Sequence, residues 1–205
     1  MPRKKAVTVS IPESRGYLVY DPSLCTGCHT CELACSAFKN GGSYQPSLSR
    51  IQVADDPFGG TIHNFEPKIC YQCQDPKCMT ACPVGAMYID EKTGARVVDE
   101  KKCKETCPES QPCIEACGLY YDPPRMLFDP KKKVAIKCDL CAGEPQCVKW
   151  CSNGALKYAS LAELKETGSY EQSFSELYDK DFGPVHIPFQ GSKQTFEKAY
   201  PYKQK

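Results

Sequence analysis

Residues 70–86 read CYQCQDPKCMTACPVGA, with Cys70, Cys73, Cys78 and Cys82 at C-x2-C-x4-C-x3-C and Pro83 directly after the last. Three thiolates in so short a loop can take three corners of one iron–sulfur cube. The fourth lies one helical turn further on, where proline ends any helix and turns the backbone. Packing does not require four cysteines in so few residues; a metal cluster does.

Upstream, Cys25, Cys28, Cys31 and Cys35 repeat the pattern at C-x2-C-x2-C-x3-C. Where two such runs occur together, the fourth cysteine of each serves the cluster of the other. The spacing therefore predicts one cluster on Cys25, Cys28, Cys31 and Cys82, and a second on Cys70, Cys73, Cys78 and Cys35.

Downstream the chain copies itself. PKICYQCQDPKC (67–78) matches AIKCDLCAGEPQC (135–147), and CPVGAMY (82–88) matches CSNGALKY (151–158), with Ser152 in place of Pro83. The boundary of this repeat falls near residues 99–102. The second half carries Cys103, Cys107, Cys113 and Cys117 at C-x3-C-x5-C-x3-C, then Cys138, Cys141, Cys147 and Cys151 at C-x2-C-x5-C-x3-C. The same crossover assigns a third cluster to Cys138, Cys141, Cys147 and Cys117, and leaves Cys103, Cys107, Cys113 and Cys151 for the last site. That last loop has no C-x2-C pair and contains Pro108 and Pro112. It accommodates either a fourth [4Fe–4S] cluster or a tetrahedral zinc ion, so the cofactors are three to four clusters, with zinc as the alternative fourth.

All 16 cysteines of the 205 residues fall in these four groups. With 17 prolines, 14 glycines and a mean hydropathy of −0.48, the chain cannot build a large aliphatic core, and bound metal must staple it. The opening MPRKKAVTVSIPESRGY has no apolar signal segment, and no apolar run is long enough to span a bilayer. Dense cysteines then point to a reducing, cytoplasmic setting and to metal rather than disulfides. The formal charge is +1, but four [4Fe–4S]2+ cores held by thiolates would bring the loaded chain to about −7, against a nucleic-acid role. No phosphate-cradling glycine loop, H-E-x-x-H or free nucleophilic cysteine is present, so the chain is not an enzyme by itself. His29 in the first motif reads as an exposed loop histidine. Tyr71 and Trp150 stand beside ligand cysteines, where packing or cluster shielding would suit them. Lys101, Lys102, Lys104 and Lys137 lie near cysteines and could raise the local potential; the default for each is a solvated surface position.

The fold class expected is α+β: two tandem bacterial-ferredoxin-like modules of short hairpins and short helices, with an extended C-terminal tail. Residues 1–16 form an N-terminal arm, 17–100 the first module, 101–159 the second and 160–205 the tail. Strands are expected at 16–21 and 50–53, a helical turn at 31–39 with Cys31 and Cys35 on one face, and a turn at 56–60. Hairpins are expected at 87–98 and 126–136. Residues 160–167 (SLAELKET) carry a capping box, Ser160 with Glu163. The spaced aromatics Tyr170, Phe174, Tyr178, Phe182, Phe189, Phe196 and Tyr200 suit a strap around a partner.

The motifs CTGCHTCELAC, CYQCQDPKCMTACPVGA and CDLCAGEPQCVKWCSNGAL resemble the four-cluster ferredoxin-like electron-transfer subunits of molybdenum and tungsten oxidoreductases. These include the dimethyl-sulfoxide reductase type and the tungsten aldehyde-oxidoreductase type; the KCDLC and CVKWC runs look nearest to the latter, such as the small subunit of class II benzoyl-coenzyme A reductase. The resemblance spans roughly residues 17–158, and only the third motif departs from the family spacing. It implies a non-catalytic subunit that relays single electrons to or from a larger W/Mo–pterin catalytic subunit. It further implies a second redox partner or carrier, an anaerobic setting, no nucleic acid and no membrane span of its own.

Overall fold

The computed structural model describes residues 12–56, 64–106, 111–166, 178–179 and 183–184. Most of the N-terminal arm, the turn after Asp56, Cys107, Pro108 and nearly all of the tail lie outside them. In chain order the elements are β1 (Gly16–Tyr20), α1 (Thr30–Lys39), β2 (Gln52–Asp56), β3 (Asn64–Lys68), α2 (Lys77–Thr80), β4 (Met87–Ile89), β5 (Arg96–Val98), α3 (Glu100–Thr106), α4 (Pro112–Gly118), β6 (Met126–Asp129), β7 (Val134–Lys137), α5 (Gln146–Lys149), β8 (Leu156–Ser160), α6 (Leu161–Glu166), β9 (Tyr178–Asp179) and β10 (Gly183–Pro184).

This is a small mixed helix-and-strand protein. Its described strands pair as antiparallel two-stranded ribbons: β2 with β3, β4 with β5, β6 with β7, β9 with β10, and β1 with β8. The expected hairpins at 87–98 and 126–136 are these ribbons. The strand expected at 50–53 starts two residues later, at Gln52. Ser49 turns the chain first, its hydroxyl donating to the Ile51 carbonyl at 2.6 Å, and Ile51 drops into the core.

β1 and β8 come from opposite ends of the described chain and run in register from Gly16↔Ser160 to Tyr20↔Leu156. Gly16 lets them close, because a Cβ there would enter the Tyr158 ring. The helices obey the same long-range order: α1 packs on α5 and α2 on α4. The first motif is therefore built against the fourth, and the second against the third. Elements of residues 17–100 and 101–159 interleave: β1 pairs with β8, so the first and fourth motifs close around the nested second and third.

Cysteines are part of the core. One buried cluster joins Leu18, Tyr20, Ile51, Ile69 and Leu156 to Cys31, Cys35, Cys70, Cys138 and Cys147. Another joins Leu48, Met87, Met126 and Val134 to Cys103, Cys113 and Cys117. Local signals set the helix starts. Asp99 accepts from the Lys101 and Lys102 amides at 3.0 and 3.2 Å ahead of the third motif. At α6 the Ser160 and Glu163 capping box is reciprocal, with Glu163 N donating to Ser160 Oγ at 3.2 Å and Ser160 N to Glu163 Oε2 at 2.8 Å.

Candidate metal centres

None of the fifteen described cysteines is in a disulfide, and they gather by fours or threes. Cys25, Cys28 and Cys31 line one hollow together with Cys151. Gly27 shapes the loop: its φ is +66°, and a Cβ would strike the Phe65 ring. Asn153 Nδ2 donates to Thr26 Oγ1 at 2.9 Å and ties the end of the fourth motif across this site. Cys28 stands at the exposed rim.

Cys138, Cys141 and Cys147 form the second group, and Cys35 faces them from α1. Asp139 fixes that loop, accepting from the Cys141 amide at 3.0 Å and from Lys39 Nζ, at the end of α1, at 2.6 Å. Leu140, Cys141, Ala142 and Gly143 all have positive φ, a tight left-handed turn that sets Cys141 beside Cys138, and the Leu140 amide donates to the Cys138 sulfur.

The third group is Cys70, Cys73 and Cys78 with Cys117. The Arg125 amide donates to Cys117 Sγ at 3.2 Å, and the Tyr121 hydroxyl lies 3.2 Å from Cys73 Sγ. Tyr71 stacks on Tyr121 at 5.0 Å, and the Arg125 guanidinium lies over both rings. Cys103 and Cys113 share a core cluster against which Cys82 packs. Here too amides point at sulfur, Ala86 N to Cys82 Sγ and Ala135 N to Cys103 Sγ, both at 3.3 Å.

The crossover expected from spacing is present, but its partners are exchanged. Cys151, not Cys82, joins Cys25, Cys28 and Cys31. Cys35, not Cys117, joins Cys138, Cys141 and Cys147, while Cys117, not Cys35, joins Cys70, Cys73 and Cys78. The cause is helix packing. The C-x3-C step turns the fourth cysteine of a motif toward whichever helix lies alongside, and α1 lies on α5 while α2 lies on α4. A zinc ion held by Cys103, Cys107, Cys113 and Cys151 would thus lack Cys151. Among the described residues no three His, Cys, Asp or Glu side chains converge on a single-ion site.

The residues fit iron–sulfur clusters. Burial pushes the Cys31 and Cys78 thiols up to about 12 and Cys117 to about 11, and drives Cys138 and Cys147 higher as well. Thiolates at such depth require a cationic core, and loading one releases the protons. Cys28 differs: hydrogen bonds from Thr30 hold its thiol below the ordinary range.

Other side chains are also placed. His29 is exposed and pairs with Glu32 at 3.2 Å. Tyr71 packs inside, whereas Trp150 is 58 % exposed. Lys101, Lys102 and Lys104 are exposed, but Lys137 is buried. Tyr121, Arg125 and Gln72, which touch the sites, carry no cysteine spacing that would have flagged them; only the K-C step at Lys137 stood out.

A family model described as the 4Fe-4S dicluster domain matches residues 61–161. The polyferredoxin-like subunit of aliphatic sulfonate oxidoreductase from Pyrococcus furiosus is 39 % identical over 68 % of this chain and 73 % of that protein. The B subunit of anaerobic dimethyl sulfoxide reductase from Haemophilus influenzae is 33 % identical over 85 % of this chain and 88 % of that one. The chain spans only 33 % of the NADH-dependent phenylglyoxylate dehydrogenase subunit beta of Aromatoleum evansii, to which it is 35 % identical over 77 % of its own length. Among solved structures, the BamBC active-site complex of benzoyl coenzyme A reductase with benzoyl-CoA is 27 % identical, covering 78 % of this chain and 90 % of that one at a TM-score of 0.37. With two such relatives matched over most of their lengths, the chain belongs to the family of ferredoxin-like iron–sulfur electron-transfer subunits of oxidoreductase complexes.

Proposed function

We propose that this chain holds four [4Fe–4S] clusters in a row and relays single electrons to or from a larger W/Mo–pterin catalytic subunit. The observation that carries this is the nested grouping of the thiols. One site takes Cys25, Cys28, Cys31 and Cys151, and the next takes Cys35, Cys138, Cys141 and Cys147. The third takes Cys70, Cys73, Cys78 and Cys117, and the fourth takes Cys82, Cys103 and Cys113 with Cys107. When bound, each cluster supplies a centre that gains or loses one electron.

The protein sets the order. Cys31 neighbours Cys147 and Cys138 neighbours Cys70, while Cys73 and Cys78 pack against the core cluster that holds Cys103 and Cys113, so each thiol group borders the next. Amides on Cys35, Cys82, Cys103 and Cys117 and the Tyr121 hydroxyl at Cys73 favour negative charge on sulfur. A zinc ion at the third motif would need Cys82 in place of Cys151. Among the described residues no helix is long and apolar enough to cross a membrane. The dense thiols without disulfides among the described residues support a reducing, cytoplasmic setting. The chain has no substrate chemistry of its own in this reading; the aromatic segment beyond residue 167 serves as partner strap, and the large subunit determines the reaction.

Anaerobic purification of the tagged chain from its native source tests the proposal. A co-purifying large subunit containing W or Mo, with about 16 Fe per chain, is the expected result. About 12 Fe with one Zn assigns the third motif to zinc. A chain that purifies alone, without iron, overturns the proposal.

A further inference from the structure

Lys137 ends β7 immediately before Cys138 and is only 6 % exposed. Its Nζ donates to the Arg96 carbonyl at 2.9 Å, the Cys138 carbonyl at 3.2 Å and Gln72 Oε1 at 3.3 Å, and it also reaches the Cys70 sulfur. Among the described residues none of these partners is a carboxylate. A buried ammonium needs compensating negative charge. Here the anions available are sulfurs: Cys70 and Cys78 on one side, Cys138 on the other. With clusters bound these sulfurs are thiolates, and the three oxygens around Nζ accept every proton of an ammonium.

The position is held rigidly. Gln72, itself 1 % exposed with φ of +50°, accepts from the Arg96 amide at 2.9 Å and donates to the Cys138 carbonyl at 2.9 Å. Arg96, fully buried, donates to the Gly94 and Pro12 carbonyls at 2.8 and 2.9 Å. This network bridges the second and fourth motifs, at the seam between the nested units.

We propose that Lys137 is a shared positive charge between the two central cluster sites, Cys70/Cys73/Cys78/Cys117 and Cys35/Cys138/Cys141/Cys147, and that it favours the reduced state of both. Each reduction adds one electron from a one-electron carrier and makes or breaks no bond, so a fixed neighbouring cation stabilises the product over the reactant. The inference rests on the ligand sets proposed above. It makes Lys137 a tuning residue that keeps the middle of the relay reducible.

The test uses the full chain, purified anaerobically as Lys137→Met and Lys137→Arg, with iron counted before any potential is measured. Redox titration followed by electron paramagnetic resonance should show reduction of both central clusters disfavoured at least tenfold in Lys137→Met, or about 59 mV for one electron. The two outer clusters should be unmoved, and Lys137→Arg should restore most of the shift. Unchanged potentials at full iron content, or a shift at only one central site, overturn the proposal. If Lys137→Met fails to assemble clusters, pulsed resonance on wild-type protein with ε-15N-lysine decides. Coupling of that nitrogen to two reduced centres, lost in Lys137→Arg, is expected, and its absence overturns the proposal. A short iron count in wild-type protein would instead strike the four-cluster reading.

Discussion

Cys151 lines the same hollow as Cys25, although nearly the whole described chain lies between them. The link is the β1–β8 ribbon, whose register ends at Tyr20↔Leu156, so each strand delivers its cysteine to the same end. No local motif could close this site. It exists only once the two ends of the fold have met.

Cys151→Ser is therefore expected to damage the cluster of Cys25, Cys28 and Cys31, and Cys82→Ser to spare it. Spectroscopy that resolves individual clusters in the two variants checks this. Loss of the first site in Cys82→Ser, with Cys151→Ser intact there, would restore the pairing read from spacing alone.

Gly27→Ala should weaken the same site by a different route. The left-handed backbone costs an alanine roughly 1 kcal/mol, and its Cβ also enters the Phe65 ring. The variant should melt earlier and lose iron from the first site. Adding Phe65→Ala should recover part of the loss by removing the clash but not the backbone strain. Equal stability of the single and double variants would show that the ring contact is immaterial.

Tyr121→Phe probes tuning rather than assembly. Once Cys73 is a metal-bound thiolate its sulfur carries no proton, so the hydroxyl at 3.2 Å must donate. A donor to sulfur favours the reduced cluster, and removing it should lower that potential by an amount on the order of 1 kcal/mol. Iron content should be unchanged. A potential equal to wild type in a fully loaded variant would rule out the donor role.

Spacing made every cysteine of the four groups legible, along with the hairpins, α1 and the capping box at Ser160. These are local: a two-residue gap, a period of 3.6, a hydroxyl three residues from a carboxylate. The exchange of fourth ligands was not legible, because Cys35 and Cys82 sit in motifs that look interchangeable, and helix packing decides between them. The burial of Lys137 was hidden for a related reason. A lysine beside a cysteine looks the same in solvent as between two thiol groups, and only the approach of Gln72 and Arg96 from distant segments encloses it.

Metal removal should unfold the chain, because the core and the ligands are the same residues. In one apolar cluster Cys31, Cys35, Cys70, Cys138 and Cys147 stand among a handful of aliphatic side chains, and the longest described helix has 10 residues. Isolated helices this short are marginal in water, and two-stranded ribbons are no better alone. Without clusters the loops bent into left-handed conformations at Gly27, Gln72, Gln111 and Cys141 lose what holds them. Chelation of iron under anaerobic conditions should therefore abolish the native circular dichroism and the cooperative thermal transition, and anaerobic reconstitution with iron and sulfide should restore both. A cooperative melt of iron-free protein at the holoprotein's temperature would mean that the aliphatic side chains suffice, and that the clusters are cargo rather than staples.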